Sequence, residues 1–451
     1  MAKWIRGLSD DEQQIFDRLT WQVRDKNARN RVRQSYMNAK HFTNQLPPTA
    51  PPYVRNISMV LGWPAKAVEA LHRRTRFQGF YSPDSALDRY GLGEILEANN
   101  YTVEAGLGEL DAMVQSCSFE IVTPGREGEP AAVITHQSAL SGTGDWNDRT
   151  RRLDSFLSIS RWKEGEPVDF ALYLPGEVVE VSDFEVVNRY RHKEHVPVEV
   201  VAYKPRLGRP FGSSRISRPI MALTDSAVRT ILRSEGTADL YGTPSFMLFG
   251  PDETAFDKDS WQLIMDRVNV IPDNDMMEGD RGRASVQQFT QGSQQPHVDQ
   301  LQVWAGLFAG EANIPVSSLG VGMSQANPTS AEAYVASRED LISEAEAAAD
   351  VWKPTRVRTA LRAWRIANDT DTVPDDLKKL RARYRDARFT SKSAAADSAV
   401  KLTSAIPFLQ ESETFLGTIF EDEVLEGILS DRRRQQGSAI ARLIGDRNGL
   451  S

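Results

Sequence analysis

The sequence predicts an α+β chain in which helical patterns at both ends enclose a strand-rich middle. Three observations carry this. Apolar residues recur at helical spacing in stretches of 9–116, 217–241 and 297–368. Between 118 and 204, short runs rich in β-branched and aromatic residues alternate with Gly and Pro. The Ala- and Glu-rich pattern over 331–368 would give about 57 Å of helix at about 1.5 Å per residue, too long for the core of an ordinary compact domain.

The first helix is expected over 9–45. Ser9 is a plausible N-cap with Glu12 three residues on, the capping-box spacing. Ile15, Leu19, Trp21 and Val23 supply a partial apolar face, and 24–33 is dense in Arg, Lys and Asn. Leu46-Pro-Pro-Thr-Ala-Pro-Pro52 must end the helix, because proline lacks the amide and restricts the residue before it. A second helical pattern holds Ile57, Val60, Leu61, Val68 and Leu71. A third runs over 90–116 with Leu92, Ile95, Leu96, Leu107, Leu110 and Val114.

Strands are expected over 119–122, 131–135, 156–160, 168–173, 178–181 and 198–202. Turns are expected at Pro124-Gly125, Gly142-Thr-Gly144, Gly165 and Pro175-Gly176. After a Gly/Pro loop over 205–215, a helix starts at Ser217 with Pro219 in its first turn, where a missing amide costs nothing. Residues 242–296 are acidic, nine acids against four bases, with strands at 246–249 and 268–271 and a short helix at 261–265. Helix returns over 297–312, then a small-residue loop over 314–328 that carries no charge. Thr329-Ser-Ala-Glu332 is a capping box opening the long helix, which Pro354 should kink. Beyond Thr370, helix is expected over 377–388 and 408–440, with a polar joint over 390–398.

The 451 residues carry a net charge of −8, and 40% are hydrophobic, enough for a large core. The balance argues against a protein whose main task is gripping DNA through its phosphates. A single cysteine, Cys117, cannot form an intramolecular disulfide and reads as a buried, inert thiol. No stretch approaches the roughly 20 apolar residues of a spanning helix, and the N-terminus has no signal-peptide pattern, so assembly in a cytosol is expected.

No phosphate loop of the G-x-x-x-x-G-K-[ST] type is present, and Gly91-Leu-Gly, Gly106-Leu-Gly and Gly320-Val-Gly lack a dinucleotide fingerprint. His192 and His195 flank Glu194 without an H-E-x-x-H pattern and read as a solvated turn. Asp273-Asn-Asp-Met-Met-Glu-Gly-Asp280 places its glycine one position late for a calcium loop, so an exposed acidic turn is expected. No catalytic residue, metal site or cofactor is expected.

The order of several segments resembles the tailed-bacteriophage portal proteins, in the SPP1-like branch found in phages of actinobacteria. The segments are the Arg-rich helix with Tyr36, Leu46-Pro-Pro, Gly62-Trp-Pro64, Arg76-Phe-Gln-Gly-Phe80 and Gly208-Arg-Pro-Phe-Gly-Ser-Ser-Arg-Ile-Ser-Arg-Pro219. Gln295-Pro-His-Val-Asp-Gln-Leu301, Ile314-Pro-Val-Ser-Ser-Leu-Gly320 and Asn327-Pro-Thr-Ser-Ala-Glu332 follow. The likeness covers about 9–370.

The resemblance implies a portal fold: wing 1–215, stem helices 216–241 and 297–313, clip 242–296, channel loop 314–328, long kinked wing helix 329–369 and crown 370–451. It implies a ring of about twelve identical subunits at one capsid vertex. Double-stranded DNA would pass through its channel during packaging and ejection. It further implies contacts with the terminase large subunit, a head-tail adaptor, and the major capsid and scaffolding proteins, in a virion and not a membrane. Ser317, Ser318, Val321, Met323, Ser324, Gln325 and Asn327 would line the channel, and Asp273, Asp275, Glu278, Arg281 and Arg283 would meet partners at the clip.

Physical reasoning agrees with that expectation. A DNA conduit must not hold its cargo, because each phosphate neutralised by Lys or Arg adds affinity. An acidic clip suits a partner with basic groups. A head-to-tail ring needs two different surfaces on each subunit, for which the charged faces 24–33 and 338–346 are candidates. The alternatives are another head-assembly component, an adaptor or scaffold-associated protein, or an enzyme acting on nucleic acid.

Overall fold

The computed structural model describes residues 4–41, 58–82, 86–242, 246–249, 285–288, 293–321, 338–388 and 392–411, with scattered positions from 415 to 434. The chain divides into two compact units, Met1–Ala387 and Arg388–Ser451.

In the first unit, α1 (Asp10–Met37) begins with the expected capping box: the Glu12 amide donates to Ser9 Oγ at 3.3 Å and the Ser9 amide donates to Glu12 Oε2 at 2.7 Å. Helices α2 (Trp63–His72), α3 (Ala86–Arg89), α4 (Leu92–Ala98) and α5 (Tyr101–Gln115) follow, with strand β1 (Phe77–Tyr81) between α2 and α3.

The strand-rich middle folds as two antiparallel sheets. β2 (Cys117–Pro124), β3 (Ala132–Ser138) and β9 (Val198–Ala202) form one, in the order β3-β2-β9. β4 (Gly142–Asn147), β5 (Arg152–Lys163), β6 (Glu166–Leu174), β7 (Glu177–Ser182) and β8 (Glu185–Arg191) form the other, a meander. Each of the six expected strands in 118–204 is present. Gly142-Thr-Gly144, expected as a turn, is instead the start of β4. A Cβ at Gly144 would stand 2.6 Å from the Ser155 carbonyl oxygen of β5, so glycine serves close strand approach here rather than a turn.

Period-two alternation sorts the side chains into four layers. Phe16, Leu19 and Val23 of α1 bury against Leu157, Phe170, Leu172 and Val179 on the outer face of the five-stranded sheet, with Phe16 and Phe170 stacked at 4.4 Å. The opposite face, including Phe156, Tyr173 and Val178, packs on Cys117, Phe119 and Ile121 of β2. The alternate residues of β2, Ser118, Glu120 and Val122, face helices. Burial pushes the Cys117 thiol up to about 12, which fits an inert sulfur.

Two further helices, α6 (Arg218–Gly242) and α7 (Gln295–Glu311), precede the 3-10 turn Val316–Leu319 and the long helix α8 (Glu339–Ala367). They close a second core around Tyr36, Trp63, Ile216, Phe308 and Trp352. Strands β10 (Phe246–Phe249) and β11 (Ser285–Gln288) pair antiparallel; β10 matches its expected position, and its partner strand was not foreseen. The strand at 268–271 and the helix at 261–265 lie outside the described residues.

The helix expected over 377–388 is instead a 3-10 turn, Leu377–Lys379, and a strand, β12 (Arg381–Tyr384), that pairs antiparallel with β1. Leu380 and Ala382 turn inward while Arg381 is exposed, a period-two pattern hidden by the density of arginines. This segment belongs to the first unit, which runs to Ala387. In the second unit, α9 (Lys392–Ala405) occupies most of the expected polar joint over 390–398, as its alanines favour. No helix among the described residues is long and apolar enough to cross a membrane.

Candidate functional site

Helices α6 and α7 run antiparallel. Ser217 hydrogen-bonds Glu311 at one end at 3.2 Å, Trp304 Nε1 donates to Thr230 Oγ1 at 3.1 Å midway, and Ser234 donates to Gln294 Oε1 at 3.0 Å farther along. The first stop of the pair is the Arg215 end, where α7 hands over to the segment 312–321.

Buried Arg215 holds that end together. Its Nε donates to the Ala67 carbonyl of α2 at 2.8 Å, and its Nη2 to the Ala312 carbonyl, past the end of α7, at 2.6 Å. Its Nη1 pairs with Glu344 of α8 at 2.5 Å. Glu344 also accepts from Tyr203 Oη and, at 3.1 Å, from Asn313 Nδ2, and pairs with Lys204. Burial alone would raise the Glu344 pKa. Arg215, Lys204 and Tyr203 outweigh it and hold the carboxyl at about 2. Through Arg215 and Asn313, one carboxylate therefore ties the segments that enter α6 and leave α7 to the long helix.

A second buried network fixes the other half of α8. The Arg356 guanidinium contacts Glu120 of β2 and donates to Glu109 of α5 at 2.7 Å and to the Ala105 carbonyl at 2.9 Å. Thr359 also donates to Glu120, and Tyr384 of β12 donates to Glu109 at 2.6 Å. One turn on, Arg358 and Arg362 pair with Glu199 of β9, and Arg362 and Arg365 with Glu194. The long helix is thus riveted to the three-stranded sheet by arginines.

An open groove of about 600 Å³ lies on the α6–α7 pair, lined by Pro219, Ala222, Leu223, Ser226, Gly306, Leu307, Gly310 and Glu311. Leu307 is 53% exposed and Val303 58%. Among the described residues, nothing lies within 4 Å of where a Cβ would stand at Gly306 or Gly310, so no contact between them requires glycine there.

Of the residues expected to line a channel, Ser317 and Ser318 lie in the 3-10 turn, where the Ser318 carbonyl accepts from Lys66 Nζ at 3.2 Å. Val321 packs against the core around Phe308. Met323, Ser324, Gln325 and Asn327 lie outside the described residues, as do Asp273, Asp275, Glu278, Arg281 and Arg283. Pro354 sits on the exposed side of α8, which runs unbroken through it. Among the described residues, no group of three or more His, Cys, Asp or Glu side chains could hold a metal ion.

Sequence reasoning did not single out Arg215, Glu344, Arg356, Glu109 or Glu120. A signal existed for the last: Glu120 interrupts the apolar run of β2 and Glu199 that of β9, and a charge inside a buried strand must have a partner.

Known proteins supply the remaining evidence. The family model for phage portal protein, SPP1 Gp6-like, matches residues 21–437. The portal protein of Mycobacterium phage L5 is 25% identical over 386 residues, covering 82% of this chain and 77% of that protein. The portal protein of Mycobacterium phage D29 is 25% identical over 406 residues, covering 86% and 81%. Among solved structures, chains of a native gene transfer agent virion and of the neck of an empty gene transfer agent particle align with TM-scores of 0.40 and 0.42. Both are 10% identical and cover 76% of this chain and 85% of the other. By the family match over nearly its whole length, the chain belongs to the phage portal proteins of the SPP1 Gp6-like family.

Proposed function

We propose that this chain is one subunit of a ring of about twelve copies at a capsid vertex, through which double-stranded DNA enters and leaves the particle. In this reading α6 and α7 are the stem, 242–296 the clip that meets terminase and the head-tail adaptor, and 314–328 the loop facing the DNA. Residues 1–215 and α8, kinked at Pro354, form the wing, and the C-terminal region forms the crown.

The observation that carries the proposal is the Arg215–Glu344 corner. It joins the residues that enter α6, those that leave α7 just before the uncharged loop, and the long helix at one point. A loop that touches a moving polyanion needs such a rigid root and no cation of its own. The apolar groove on α6–α7, with glycines that nothing among the described residues requires, supports close approach of the neighbouring copy. The protein is structural in this account, and the reacting chemistry of packaging belongs to its partners.

Imaging the purified protein tests the reading. Closed rings with a central hole wide enough for a duplex support it. A monomer that docks on a separate ring, or metal-dependent hydrolysis of DNA, would replace it.

A further inference from the structure

Between β9 and α6 the chain makes a short finger. Arg206 and Arg209 exchange both backbone hydrogen bonds, at 3.1 and 2.8 Å, so Leu207 and Gly208 form its tip. The root of the finger is fixed. The Ser213 amide donates to the Tyr203 carbonyl at 2.7 Å, and Lys204 pairs with Glu344. Gly212 has φ +72°, and a Cβ there would stand 2.1 Å from the Tyr203 carbonyl oxygen, so the turn requires glycine. Phe211 lies edge-on to Phe119 of β2 and Trp146 of β4, at 6.2 and 6.1 Å. On this root the tip carries Leu207 at 84% exposure, more than any other large apolar side chain among the described residues. Arg206 and Arg209 flank it, both exposed, and among the described residues neither pairs with a carboxylate.

The groove on α6–α7 has the complementary character. Leu223 and Leu307 line it, Gly306 and Gly310 leave it open, and Glu311 is its one charged lining residue. Glu311 is exposed, and Ser217 donates to it at 3.2 Å. Among the described residues no cation pairs with it, Arg218 at the start of α6 included. The finger is rooted in the strand layers and the groove stands on the helix pair, so they are different surfaces of one subunit.

We infer that the Arg206–Arg209 finger of one subunit seats in the α6–α7 groove of a second copy of this chain, with Leu207 against Leu223 and Leu307 and a finger arginine on Glu311. The inference rests on the ring reading above and names one of its contacts. A head-to-tail ring requires two different, complementary surfaces, and this chain carries both. The signs of charge match: two unpaired cations on the finger, one unpaired carboxylate in the groove. The contact takes the leucine tip and the apolar groove out of water together. A side chain already held on a fixed turn also loses little freedom on docking.

Three full-length variants test this. Leu207→Asp removes the apolar tip, Arg206→Glu with Arg209→Glu reverses the finger, and Glu311→Arg reverses the groove. All four side chains are exposed, and circular dichroism checks that each variant folds. Native mass spectrometry and sedimentation then follow assembly against protein concentration. Each variant should need about tenfold more protein to form rings. The reversed finger and the reversed groove combined in one chain should recover wild-type assembly, because opposite charges then meet again at every contact. Leu207→Cys with Gly306→Cys reads the contact directly. Mild oxidation of its rings should link neighbours into covalent ladders, and buried Cys117 takes no part. If the cysteine pair itself prevents rings, the charge variants decide. Wild-type assembly by Leu207→Asp or by the reversed finger, no recovery in the combined chain, or rings without ladders overturns the contact while leaving the ring intact. Loss of duplex DNA retention with unchanged assembly would assign the finger to a nucleic acid and overturn it too. Absence of rings from the unmodified chain would remove the ring reading and this contact together.

Discussion

Glu344 and Arg215 meet at 2.5 Å with side chains only 7% and 5% exposed, and each is claimed by further groups. Arg215 reaches the backbone carbonyls of Ala67 in α2 and of Ala312 just past α7, and Glu344 gathers Lys204, Tyr203 and Asn313. A pair with so many satisfied hydrogen bonds can offset the cost of taking two charges out of water. It also places three elements that are far apart in the chain within one bond network.

Replacing Glu344 with Gln should therefore lower stability by about 3–5 kcal/mol, since it leaves Arg215 buried without its counter-charge. The pH dependence has a defined sign. The folded carboxyl titrates at about 2, below its ordinary value of 4.5, so its stabilisation is complete above about pH 5 and fades as pH falls toward 2. Denaturant melts of wild type and variant should differ most near neutrality and converge in acid. A gap that stays constant from pH 7 to pH 2 would contradict this.

The Arg356 cluster should show strong coupling. Arg356→Met alone leaves Glu109 and Glu120 buried and should cost about 3–5 kcal/mol. Arg356→Met combined with Glu109→Gln and Glu120→Gln should recover part of the loss, because no buried charge then lacks a partner. Equal losses in the single and triple variants, by denaturant midpoint, would show that the charges act independently.

At the groove, Gly306→Leu should fold normally, within about 1 kcal/mol of wild type, because its Cβ meets no atom of the described residues and leucine favours helix over glycine. It should nevertheless block assembly by filling space that a neighbour needs. Size-exclusion chromatography separates the outcomes; normal rings would place the neighbour elsewhere.

In the proposed channel loop, Ser324→Lys with Gln325→Lys should leave rings intact and slow DNA packaging, since each added cation grips a phosphate. Packaging at the wild-type rate would remove this loop from the DNA path.

Much of this fold was legible in the sequence, for identifiable reasons. Ser9 and Glu12 announce the start of α1, and the β-branched runs of 118–204 announce six strands, because local chemistry decides both. Tertiary contacts decided what was missed. β12 reads as a charged helix until Leu380 and Ala382 find their places beside β1. β4 reads as a turn until Gly144 is seen against Ser155. Arg215 and Glu344 were invisible for the same reason: a pair separated by more than a hundred residues leaves no periodic trace. The family order of segments was legible because its Gly and Pro motifs are local.

The most direct test of the account is a cryo-electron microscopy map of the purified full-length protein. A closed ring should appear, with α6 and α7 around the central hole, the loop that follows Val316–Leu319 nearest the axis, and Glu344 still on Arg215 at its root. Rings in which that loop points away from the axis, or particles without a hole, would contradict it.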